Sequence, residues 1–150
     1  MSRVLCALAI AVAVASAATI AAASPAAAGG ATSFTLLLPA TTSTYVDLGR
    51  KSYSAGDFFL SRGPLLDPTT RTRVGRLGGT WTILSRQADQ AAFNVGLKAG
   101  TLFVVGRISH TAPRSILTVT GGTGRFRTAR GTVTFRYLSE TSASLAVNLE

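Results

Sequence analysis

Gly121–Tyr137 reads GGTGRFRTARGTVTFRY, and two readings compete for its first half. Glycines beside arginines describe an anion cradle, whereas glycines ahead of an alternating run describe a turn between strands. A dinucleotide fingerprint requires G-x-G-x-x-G between a strand and a helix. Here Gly122-Thr123-Gly124 is succeeded by Arg125, Phe126 and Arg127, so the third glycine is missing. The P-loop pattern G-x-x-x-x-G-K-[ST] is absent as well. The second half alternates as a strand does: Val133, Phe135 and Tyr137 point one way, and Thr132, Thr134 and Arg136 the other. Gly121–Gly124 is therefore a turn needing φ > 0, placed after a strand over Ser115–Thr120.

The same period of two runs outward through the chain. Phe93, Val95 and Leu97 oppose Asn94, Gly96 and Lys98, after which Ala99-Gly100 supplies a two-residue hairpin turn. Leu145, Val147 and Leu149 alternate with Ser144, Ala146 and Asn148. Further short β-branched runs predict strands near Ser33–Leu38, Tyr45–Leu48, Asp57–Ser61, Val74–Ser85, Ala91–Lys98, Thr101–Ile108, Gly131–Leu138 and Ser142–Leu149. Trp81, Phe93, Phe103 and Phe135 fall at the apolar phase of their strands and are expected in the core. Residues 39–44 and 62–73, rich in Pro, Thr and Ser, are expected to be mobile loops. No 3.6-residue period appears after residue 30. The pattern predicts an all-β fold, a closed antiparallel barrel or a sandwich, and a barrel of about eight strands just holds one small ligand.

Residues 1–28 have a different character. Arg3 precedes an apolar Val4–Ile20 run that ends on Ala26-Ala27-Ala28, the layout of a cleaved secretory leader. That leaves 29–150 as a single domain, free of a stable membrane anchor, and expected outside the cell (apoplast or cell wall if the source is a plant). The one cysteine, Cys6, leaves with the leader. The domain must then hold together without a disulfide and works without a thiolate.

The chain carries 15 basic and 6 acidic residues, a formal net charge of +9. Such a charge attracts polyanions, although the arginines are scattered and form no basic run. Catalytic inventory is short. With one histidine, His110, and no cysteine after the leader, a zinc site cannot be assembled in one chain. His110 lies in the polar turn SHTAPR, where an exposed loop histidine is expected. A carboxylate pair remains open among Asp47, Asp57, Asp67, Asp89 and Glu140, though no sequence feature brings two together. Neither a metal nor a cofactor is expected, nor a nucleic-acid partner.

Four motifs in order carry a resemblance. They are DFFLSRGP at 57–64, VGRLGGTW at 74–81, VGR at 105–107 and TGGTGRFRTARG at 120–131. Together they resemble the dirigent family, with its D-D-x-L-T-x-G-P, V-G-R-A-Q-G-x-Y and V-G-G-T-G-x-F-R-x-A-R-G signatures. The last matches at Gly121, Gly122, Thr123, Gly124, Phe126, Arg127, Ala129, Arg130 and Gly131. Phe58 replaces the second acidic residue, Gly79 replaces the glutamine, and the cysteine pair of plant members is missing after the leader.

The resemblance implies an eight-stranded antiparallel β-barrel, shared with allene oxide cyclases, and a homotrimer. It implies stereoselective coupling or cyclisation of a small aromatic ligand, a phenoxy radical or quinone methide, with a separate laccase or peroxidase supplying the radicals. Asp57 matches the acidic residue of the first motif, and the implied role is a general acid with a raised pKa in an apolar mouth. Arg127 would bind the oxygen of a phenolic, with Arg107, Tyr137 and Asp47 as further ligand contacts. Two other functions stay open: a non-catalytic barrel binding acidic polysaccharide or another polyanion, and an allene oxide cyclase-like cyclase.

Overall fold

The computed structural model describes residues 32–49 and 52–150, and the leader read at 1–28 lies outside the described residues. Nine strands form one antiparallel sheet. They are β1 (Thr32–Leu38), β2 (Thr42–Val46), β3 (Phe58–Leu66), β4 (Arg73–Ser85), β5 (Ala88–Leu97), β6 (Gly100–Ser109), β7 (Ser115–Gly122), β8 (Gly131–Tyr137) and β9 (Ala143–Leu149). Their order is β1-β9-β8-β7-β6-β5-β4-β3-β2, and an additional β1–β3 pairing, Leu37 opposite Leu66, closes the sheet. β2 then continues where β1 leaves off, pairing Thr42–Val46 with Arg62–Phe58. The result is a closed eight-stranded antiparallel barrel with one extra strand, as the resemblance implied and as one of the two all-β architectures the alternation allowed.

The period-two pattern becomes the wall of this barrel. Val133 and Phe135 on β8, Leu145 and Val147 on β9, Phe93 and Val95 on β5, and Leu117 and Val119 on β7 are all buried inside. Each fully buried aliphatic side chain contributes about 1.5–3 kcal/mol against exposure, so a one-residue slip in any strand would forfeit several at once. Trp81 stacks on Phe93 in the interior, centroids 5.7 Å apart and planes 5° from parallel. Phe103 departs from the expected core set: it is 39% exposed on the outer face. It sits in the unbroken apolar run Leu102-Phe103-Val104, where periodicity fixes no phase, and Leu102 and Val104 take the interior.

The strand ends sort into two rims. At one, β7 leads into a short 3-10 turn, Gly124–Phe126, before β8 begins. Phe126 is buried against the core and plugs this end of the barrel. Gly124 takes φ +58, as a glycine turn requires. Gly122 is needed for closeness: a Cβ there would overlap the Thr101 carbonyl oxygen and lie 2.8 Å from the Phe126 Cβ. At the same rim the β5–β6 turn is Lys98-Ala99, with Gly100 already in β6, one residue earlier than expected.

Two segments expected as loops are each about half strand. β2 occupies 42–46, and β3 runs through Gly63 and Pro64 to Leu66, past the predicted end at Ser61. Pro64 pairs with Arg76 of β4 on one side. On the other side it meets the junction between β1 and β2, where no ladder partner demands its missing N–H. The remainder, 67–72, is a turn bound by Asp67, whose Oδ1 accepts the N–H groups of Thr69 and Thr70 at 2.9 and 2.8 Å.

Candidate functional site

The second rim is open. There the interior phase of the strands continues past the apolar core into polar side chains, around a cavity of about 310 Å³. Phe59, Trp81 and Phe135 form aromatic walls, and Tyr53, Tyr137 and Glu140 stand around them. Phe135 and Tyr137 meet edge to face at 5.0 Å, which fixes the Tyr137 ring. Tyr53 packs against Phe59 at 5.8 Å and stacks on Tyr45 at 6.1 Å.

Asp89 is the polar centre of this cavity. It comes just after the β4–β5 turn and shares its phase with Ala91, Phe93 and Val95, so the strand directs it inward, where it is 5% exposed. Across the ladder, Leu102, Val104 and Ile108 mark the interior phase of β6, and His110 extends that phase one step beyond the strand. The two side chains meet with His110 Nε2 3.0 Å from Asp89 Oδ2. The backbone N–H of His110 donates to the Gln87 carbonyl at 2.9 Å, anchoring the histidine to the same turn. Asp89 Oδ1 is buried and receives no hydrogen bond from any described residue. Burial pushes the Tyr53 and Tyr137 phenols up, and the Asp89 charge pushes both further. Both stay protonated and can donate.

Of the five residues expected to handle a ligand, only Tyr137 joins the cavity. Asp57 is fully buried, but it does not line the cavity. Its Oδ2 accepts from the Tyr45 hydroxyl at 2.6 Å and from the N–H and Oγ of Ser54 at 2.7 and 2.9 Å. Its Oδ1 accepts from the Leu48 N–H at 2.8 Å. The Tyr45 bond leads in lowering the Asp57 pKa, joined by Leu48 and Ser54 and opposed by burial, which leaves it at about 2. The expected raised pKa is thus reversed, because donors outweigh burial. Asp57 ties the chain after β2 onto the start of β3, and Tyr45 is pushed up to about 12 in return. Arg127 is exposed beside the 3-10 turn at the plugged rim, Arg107 is exposed on β6 and Asp47 is exposed after β2.

No sequence motif marks Asp89, His110 and Glu140 as ligand contacts. A polar residue at a strand end reads as a turn, and only the interior phase carried one or two residues further picks out Asp89 and His110. A second depression, about 500 Å³, lies on the outer wall, where Arg62, Arg73 and Arg76 gather with Pro64. Among the described residues no three His, Cys, Asp or Glu side chains gather as a metal-ligand set.

The geometry has counterparts among solved structures. A pyocyanin demethylase matches with a TM-score of 0.68 at 20% identity, over 79% of this chain and 100% of that one. The pterocarpan synthase dirigent protein PsPTS1 matches at 0.64 and 18%, over 81% and 94%. The Diels Alderase AbmU from Streptomyces koyangensis matches at 0.64 and 17%, over 80% of this chain and 63% of that longer one. These likenesses establish a shared barrel. No curated protein matches the sequence. The family model of dirigent-like proteins matches residues 31–150, a span that contains every described residue, and the protein belongs to that family.

Proposed function

We propose that this dirigent-like barrel binds a small aromatic or polycyclic molecule in its open rim and holds it for stereoselective coupling or ring closure. The observation that supports the reading is the 310 Å³ cavity, walled by Phe59, Trp81 and Phe135 and carrying the buried Asp89 in contact with the exposed His110. Small-molecule sites combine an apolar enclosure with a few fixed polar groups, and this cavity has that composition. Relatives of the same shape include a pterocarpan synthase dirigent protein and a Diels Alderase, in keeping with ring-forming chemistry. On this reading the protein acts outside the cell as an oligomer, and a separate laccase or peroxidase supplies any radicals. It contributes orientation, which governs which bond forms without changing the oxidation state of the ligand.

Trp81, the single tryptophan, lines the cavity and reports occupancy. Titration with coniferyl alcohol and with larger polycyclic phenols is expected to change Trp81 emission saturably. Coniferyl alcohol oxidised by a laccase in the protein's presence is expected to give an enantiomeric excess. Racemic product together with unresponsive Trp81 emission across the panel would overturn the proposal.

A second reading rests on the outer depression, where Arg62, Arg73 and Arg76 converge without an ion pair among the described residues. Such a surface suits an acidic polysaccharide. Binding to polygalacturonate would then fall steeply between low and physiological salt, and the triple Arg→Ser variant would lose it. Retention indifferent to salt would refute this reading.

A further inference from the structure

We propose that the cavity selects aromatic ligands bearing a hydrogen-bond donor, neutral or cationic, that Asp89 Oδ1 receives this donor, and that aromatic carboxylates are rejected. The inference deepens the small-molecule reading above and rests on it.

Three observations carry it. First, Asp89 is a buried carboxylate with its two oxygens in unlike surroundings: Oδ2 faces the His110 ring at 3.0 Å, and Oδ1 has no donor among the described residues. Buried acceptors are nearly always paired, and an unpaired one is a functional signal in a native fold. Asp89 lines the cavity; its Oδ1 is closed to water as the side chains stand, so a bound molecule supplies the missing donor once the carboxylate shifts slightly about its His110 contact. Second, the charge of the lining opposes that of the chain. The chain carries +9 overall, yet the carboxylates Asp89 and Glu140 line the cavity, and no arginine or lysine does among the described residues. An anionic aromatic entering this rim would lose water and gain a like charge. Third, the walls suit a flat ring. Phe59, Trp81 and Phe135 supply apolar faces, and the Tyr53 and Tyr137 phenols, kept protonated, donate to ring substituents that accept. At about 310 Å³ the space is at the small end for ligand sites of roughly 300–1,000 Å³, which fits a ligand of one to three fused rings.

His110 acts as a positioning residue. Its Nε2 contact holds Oδ2 and so fixes the carboxylate plane, leaving Oδ1 as the free acceptor. A site that pairs a buried polar group with a ligand donor rejects analogues lacking it far more strongly than an apolar pocket rejects a missing methylene.

Isothermal titration of the full chain with four matched naphthalenes tests the assignment: 2-naphthol, 2-naphthylmethylammonium, 2-methoxynaphthalene and 2-naphthoate. The naphthol and the ammonium are expected to bind at least about tenfold more tightly than the methoxy compound, with the naphthoate weakest. Asp89→Asn is expected to reduce the ammonium's advantage and narrow the gap to the naphthoate, with Glu140 still in the lining, and to change affinity for 2-methoxynaphthalene least. His110→Gln is expected to weaken the two donor ligands more than the methoxy compound, a split that a merely structural role would not produce. The four wild-type affinities decide the matter even if a variant fails to fold. Equal binding of all four by the wild type, or an undiminished ammonium preference in Asp89→Asn, would overturn this proposal and leave the aromatic cavity standing. If none of the four binds, this inference falls, and the small-molecule reading is decided separately by the Trp81 titration and the laccase assay.

Discussion

Phe126→Ala separates the two meanings of the glycine–arginine stretch. If Gly121–Gly131 serves the fold, its essential side chain is the phenyl ring that plugs the rim opposite the cavity, and its arginines are surface groups. A buried aromatic ring removes about 150–250 Å² from water, which at about 25 cal/mol per Å² is worth roughly 4–6 kcal/mol. The alanine methyl retains part of that, and Phe126 is 8% exposed, so the expected loss is about 3–5 kcal/mol. For a domain of this size that lowers Tm by roughly 10–20 °C. Urea unfolding monitored through Trp81 emission should show the midpoint falling with an unchanged slope. Arg127→Ala, on an exposed side chain, should shift stability by no more than about 0.5 kcal/mol. Both variants, assayed well below their Tm, should keep wild-type affinity for a cavity ligand. A loss below about 1 kcal/mol in Phe126→Ala would refute the plug. Lost ligand affinity in Arg127→Ala would restore the stretch as a binding loop.

Two further outcomes rest on named contacts. Gly131 takes φ +141, and a Cβ there would overlap the Asn148 carbonyl oxygen across the β8–β9 ladder; Gly131→Ala should therefore cost about 3 kcal/mol or more by urea unfolding, and a neutral result would disprove that close approach. Asp57 has a folded pKa of about 2, below its ordinary 3.8, so its contribution to stability is fully present above about pH 5 and fades as the pH falls toward 2. Asp57→Asn should be less stable than the wild type at neutral pH, with the gap closing in acid; a gap constant from pH 6 to pH 2 would show that the carboxylate charge plays no part.

The fold is legible because period two is hard to imitate. Val133-Thr134-Phe135-Arg136-Tyr137 and Leu145-Ala146-Val147-Asn148-Leu149 permit one inward set each, and the barrel adopts both. Reading fails where that signal is locally ambiguous. The Leu102–Val105 run is apolar at every position, so either phase of it can be read as inward, and Phe103 faces out. Gly63-Pro64 looks like a strand end, because nothing local reveals that β3 passes the β1–β2 junction there and can dispense with one N–H.

The site is less legible for a related reason. A strand assigned by its apolar residues ends where they end, but a barrel mouth begins there. Asp89 and His110 obey the same alternation as Phe93 and Ile108; only their polarity keeps them out of a strand drawn from apolar residues, and Asp89 lies within β5. Asp57 shows the opposite limit, since a motif position names a residue without its surroundings. Tyr45, Leu48 and Ser54, each three or more positions away in sequence, convert that carboxyl from a candidate acid into a saturated anchor. In a closed barrel the polar residue that continues the inward phase past the core faces a potential ligand, whereas one that folds back onto its own loop serves the loop. By that criterion Asp89, paired on one oxygen and unpaired on the other, is the residue placed to meet a ligand, whereas both oxygens of Asp57 are held by its own loop.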